Sequence, residues 1–151
     1  MRKVSYVYSS DETTSKVGIK SGNKRGLVSI EDIIRQFDRF IYIDSRDDSS
    51  IHQVDKWFEH HFFEKNSILI LNRRYRGLRT RLKRFSQSGY NALTFRSLDE
   101  LPDLIDKIIY YPTNAYSNIE LVRHTRSKHV FIGHGDSDKL ASVNPIIKIY
   151  S

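Results

Sequence analysis

Seven consecutive residues near the end of the sequence combine side chains suited to acid–base and phosphate chemistry. They read Gly133-His134-Gly135-Asp136-Ser137-Asp138-Lys139. His134 carries the side chain best matched to proton transfer near neutral pH, and Asp136 or Asp138 could orient its ring. Lys139 could contact a phosphate, and the flanking glycines let a substrate approach the backbone closely. The segment is therefore a candidate catalytic site, although its composition is equally typical of a solvated turn.

The same segment also permits a metal site. His134, Asp136 and Asp138 alternate nitrogen and oxygen donors of the kinds that suit Mn, Mg or Zn. No second cluster of histidines and acids at ligand spacing stands elsewhere in the sequence. A small metal-dependent hydrolase therefore remains an alternative, while we assign no metal and no cofactor. We expect His60, His61 and His124 to be surface or packing residues.

A catalytic loop of this kind needs a preceding strand whose carboxyl end leads into the loop. Lys128-His129-Val130-Phe131-Ile132 is such a β-prone run, and further strand-like runs upstream alternate with segments of helical period. This alternation predicts an α/β fold, a Rossmann-like parallel sheet flanked by helices, with residues 1–151 as a single domain. In such sheets ligands bind outside the carboxyl ends of the strands.

The periodicity also predicts the bounds of the elements. Strands are expected at residues 40–43, 67–71, 90–95, 107–111 and 128–132. Helices are expected after Ser29 and over residues 51–62, 75–85, 97–105 and 118–124, with a final helix starting at Asn144-Pro145. Residues 9–27 are largely polar and contain three glycines, so we expect a long loop there.

A second feature is a basic segment within residues 72–84, which contains no acidic residue. Its cations are Arg73, Arg74, Arg76, Arg79, Arg81, Lys83 and Arg84. Without these seven, the 18 remaining basic residues equal the 18 acidic ones, so the segment accounts for the net charge of +7.

The spacing of the apolar residues in this segment predicts a helix that exposes the cations. Tyr75, Leu78, Leu82 and Phe85 would form its buried stripe, with Gly89 as its C-terminal cap. The exposed cations could hold a polyanionic substrate, contact an anionic membrane surface, or simply be solvated. A nucleic acid is the less favoured partner because the aromatics lie on the buried stripe and cannot stack on bases. A non-catalytic polyanion or nucleic-acid binding module is thus an alternative function.

Composition excludes several classes of protein. With 38% hydrophobic and 28% charged residues, the chain is neither collagen-like nor low in complexity nor largely disordered. It has no cysteine, which rules out disulfides and thiolate chemistry and favours the cytoplasm. No apolar run approaches the roughly 18 residues of a membrane-spanning helix. We expect a cytoplasmic protein, either free or peripheral on the inner face of the cell membrane.

The end of the sequence resembles a known family. Asn118-Ile119-Glu120-Leu121-Val122-Arg123-His124, followed by the run from His129 to Lys139, is similar to the acceptor-side domain of CDP-glycerol glycerophosphotransferases. These enzymes build teichoic acids and related capsular glycerol-phosphate polymers. The resemblance implies the N-terminal half of a two-domain fold of the GT-B glycosyltransferase type.

The resemblance also implies roles for single residues and partners. It makes His134 the catalytic base, puts Lys139 at the family's lysine position, and assigns substrate contacts to Gly133, Gly135, Asp136, Ser137 and Asp138. Asp136 stands where the family has threonine. The implied acceptor is a glycerol-phosphate or sugar-phosphate polymer, and the implied donor is CDP-linked. In the family the donor binds to a nucleotide-binding half that is absent from these residues, so we expect a truncated or partial enzyme.

Overall fold

The fold is built around one seven-stranded sheet with the order β2-β1-β5-β4-β3-β6-β7. The structure, a computed structural model, describes residues 5–10, 13–18, 30–43, 49–64, 66–72, 77–113, 115–124 and 126–132, the first two ranges by their backbone alone. The strands are β1 Ser5–Ser10, β2 Thr13–Gly18, β3 Arg39–Ile43, β4 Ser67–Asn72, β5 Asn91–Phe95, β6 Ile108–Tyr111 and β7 Lys128–Phe131.

Five of these strands, β5-β4-β3-β6-β7, run parallel to one another. Taken in chain order, β3 lies in the middle, β4 and β5 follow on one side, and β6 and β7 follow on the other. This is the order of a doubly wound Rossmann-like sheet, so the predicted α/β fold class is confirmed. The direction in which successive strands are added to the sheet therefore reverses between β3 and β6.

Helices lie on both faces of the parallel part of the sheet. They are α1 Ile30–Arg35, α2 Ser49–Glu59, α3 Leu78–Gln87 and α4 Tyr116–His124. On one face α1 and α4 pack on side chains such as Phe40, Tyr42 and Ile109. On the other face α2 and α3 pack on the alternate side chains, such as Ile41, Leu69 and Tyr110. The central strands are apolar at nearly every position because both of their faces are buried.

Part of the segment predicted to be a long loop belongs to a hairpin, so this prediction was wrong for residues 9–10 and 13–18. Residues 11–12 and 19–27 lie outside the described residues. β1 and β2 pair antiparallel from Ser5 with Gly18 to Ser10 with Thr13, and β1 also pairs antiparallel with β5. The sheet is therefore mixed, with an antiparallel hairpin at one edge. The polar sequence concealed these strands because backbone pairing at an edge does not require an apolar stripe.

The predicted helix over residues 97–105 is also wrong. Only Leu98–Glu100 forms a short 3₁₀ turn, and the chain then continues without a helix to β6. Leu101 is extended, with φ −82° and ψ 129°, as expected for a residue that precedes proline. Leu98, Leu101 and Leu104 nevertheless reach the core, so their spacing reflects burial rather than helical structure.

The helix predicted over residues 51–62 ends earlier, at Glu59. His61 adopts a left-handed backbone with φ 56°, which turns the chain away from the helix. His61 is exposed and the Phe62 side chain is 37% exposed, so neither belongs to a buried helical stripe. Phe63, one residue further on, is the buried aromatic of this turn.

Candidate functional site

The parallel strands end at a common edge of the sheet, where a doubly wound fold binds its ligands. The crevice is expected between β3 and β6, because the chain leaves these two neighbours toward opposite sides of the sheet. On the β6 side, Tyr111 is followed by the bends at Pro112 and Thr113 and then by α4. The residues after β3, 44–48, lie outside the described part of the chain.

The start of α4 is held to this edge by a side chain. Asn118, which is 1% exposed, donates a hydrogen bond from Nδ2 to the carbonyl oxygen of Thr113 at 2.6 Å. Tyr116, the first residue of α4, is 76% exposed. The amino end of α4 and an accessible aromatic ring therefore stand directly after β6.

A buried polar pair links β6 to β7. The hydroxyl of Tyr111 and Nδ1 of His129 are 2.8 Å apart, and both residues are buried. The ring of Tyr42 on β3 meets the ring of Tyr111 edge-on, with centroids 5.9 Å apart. The hydrogen bond joins non-paired positions, since Tyr111 lies opposite Phe131 and His129 lies opposite Ile109. It therefore fixes β7 against β6 close to the strand ends.

β7 matches the strand predicted to precede the candidate catalytic loop. The strand ends at Phe131, and the amide of Ile132 still donates to the carbonyl oxygen of Tyr111 at 3.1 Å. In sequence, Gly133 follows immediately. All seven predicted loop residues, from Gly133 to Lys139, lie outside the described residues, so their roles stay predictions.

The basic segment does not form the uniformly exposed face that was expected. Arg81 is only 7% exposed, so its prediction as a solvent-facing cation is wrong. Arg84 is engaged with α2, because its Nη2 donates to Oδ2 of Asp55 at 2.8 Å. Lys83 is exposed as predicted, and Arg79 lies within α3. Arg73, Arg74 and Arg76 lie outside the described residues, as does Tyr75.

The apolar stripe of α3 is confirmed for the three predicted members that are described. Phe85 is fully buried, and Leu78 and Leu82 pack partly buried against the same core. Gly89 follows the helix with a left-handed φ of 79°, which agrees with its predicted capping role.

Sequence reasoning missed a polar cluster between α2 and α3. Asp55 binds Arg84 and also accepts a hydrogen bond from the hydroxyl of Tyr90. The pKa of Tyr90 is raised to about 12, chiefly by burial and then by the negative charges of Asp55 and Glu59, while Arg84 acts to lower it. Tyr90 stands before the amino end of β5, away from the edge where ligands bind, so the cluster joins two helices. No local pattern could reveal it, because its members come from distant segments.

The described part of the chain contains neither a metal-binding cluster nor a membrane-spanning helix. Within those ranges, no group of three or more histidines, cysteines or acids is placed to hold a metal ion. His134, Asp136 and Asp138 lie outside those ranges, so the metal site that they could form stays a prediction. None of the described helices combines the length and apolarity needed to cross a membrane.

No family model, curated protein or solved structure matches this chain. The fold class is established by the strand order alone. The resemblance to CDP-glycerol glycerophosphotransferases therefore stays a prediction that depends on the sequence between residues 118 and 139.

Proposed function

We propose that this chain is the acceptor-side part of a CDP-glycerol glycerophosphotransferase-like protein of teichoic acid or capsular polymer biosynthesis. One observation carries the proposal furthest. β7 is an outer member of a parallel sheet in the Rossmann-like order, and its carboxyl end leads in sequence into Gly133-His134-Gly135. A histidine that follows such a strand end is in the sequence context that ligand sites of doubly wound folds use.

His134 would act as the general base of the transfer. It would remove the proton from a hydroxyl of the acceptor glycerol, whose oxygen would attack the β-phosphate of CDP-glycerol. A new phosphodiester oxygen–phosphorus bond forms, the pyrophosphate bond breaks, and CMP leaves with the bonding electrons. Such a step depends mainly on positioning and on stabilising charge at the phosphoryl oxygens. Lys139 would supply part of that positive charge.

Two described features support a rigid base for this loop. The hydrogen bond between Tyr111 and His129 fixes β7 against β6, and the core around β6 is fully buried at Ile109 and Tyr111. A loop that starts from a rigid strand holds a catalytic side chain more reproducibly than one that starts from a mobile segment. The alternative of a polyanion-binding module has less support, because Arg81 is buried and Arg84 is paired with Asp55.

The proposal is tested by measuring CMP released from CDP-glycerol in the presence of a glycerol-phosphate acceptor. The chain is assayed alone and together with the nucleotide-binding half of a family enzyme, because the resemblance covers only the acceptor side. We expect acceptor-dependent CMP release that His134→Ala reduces by about a hundredfold or more, the usual scale for a general base.

His60→Ala is the matched control, since His60 is an exposed histidine in the turn after α2. This variant should release CMP at the wild-type rate. Release that His134→Ala leaves intact, or an absence of release under both conditions, would overturn the proposal.

A further inference from the structure

We draw no further inference here: the strongest candidate, the surface patch formed by the exposed ring of Tyr116 and the amino end of α4 directly after β6, rests on a helix N-terminus, and no second observation among the described residues indicates a ligand there.

Discussion

Single side chains determine how much of the basic segment reaches the surface. Arg81 and Arg84 are three residues apart on α3, yet the first is buried and the second crosses to Asp55 on α2. Lys83 lies between them in sequence and is exposed. Because a side chain's direction changes by about 100° per helical residue, neighbouring cations of one segment meet different surroundings. A count of charges therefore overstates the basic surface available to a partner.

At the scale of single residues, we predict how the contribution of Tyr90 to the stability of the fold changes with pH. Its pKa is raised from 10.0 to about 12, first by burial and then by Asp55. The unfolded chain ionises at the lower value, so the contribution of Tyr90 to stability is fully present below about pH 10. It is lost as the pH rises from there through the folded-state pKa of about 12.

Asp55→Asn should lower the pKa of Tyr90 because it removes a negative charge beside the phenol. The pKa should stay above 10.0, since burial is the larger cause. Ultraviolet absorbance of the phenolate measures the change, and subtraction of a Tyr90→Phe titration isolates this residue. An unchanged pKa in Asp55→Asn would show that Asp55 does not act on Tyr90.

At the scale of elements, α3 is attached by its apolar stripe rather than by its charges. Phe85 is fully buried in the cluster that also contains Leu69 and Ala92. Phe85→Ala should lower the free energy of unfolding by about 3–5 kcal/mol, because it leaves a cavity under the helix. Lys83→Ala, on the exposed side of α3, should change it by no more than about 0.5 kcal/mol.

Urea unfolding followed by circular dichroism measures both free energies. Both substitutions introduce alanine, the best helix former, so a loss of stability in Phe85→Ala cannot come from lowered helix propensity. Equal losses in the two variants would contradict the packing of α3 described by the structure.

At the scale of the whole molecule, burial falls from the centre of the parallel sheet toward β7. Ile68 to Ile70 on β4 are fully buried, whereas Lys128 and Val130 on β7 are exposed. Amide hydrogen exchange should therefore be slowest in β3 and β4, where it requires global unfolding, and faster in β7. Mass spectrometry of peptides from the three strands measures these rates. Protection of β7 equal to that of β3 would contradict this gradient.

The sequence by itself determined the alternation of strands and helices and the apolar residues of the central strands. β3, β4, β5 and β6 lie within a residue of their predicted bounds, because a strand buried on both faces needs a continuous apolar run. The caps and periods that mark α1, α3 and α4 are also local. The candidate chemistry at His134 and Lys139 came from residue types and a resemblance, and it stays a prediction.

Only the tertiary structure decided which segments pair and which polar groups are buried. The β1–β2 hairpin joins β5 through backbone hydrogen bonds that leave no apolar period in the sequence. Tyr111 and His129 meet because β6 and β7 are neighbours, and Asp55 meets Arg84 because α2 lies beside α3. Local periodicity reports only whether a residue is buried. Which group a buried side chain contacts is set by the order of the strands and by the helices packed on them. That arrangement depends on contacts between residues far apart in the chain.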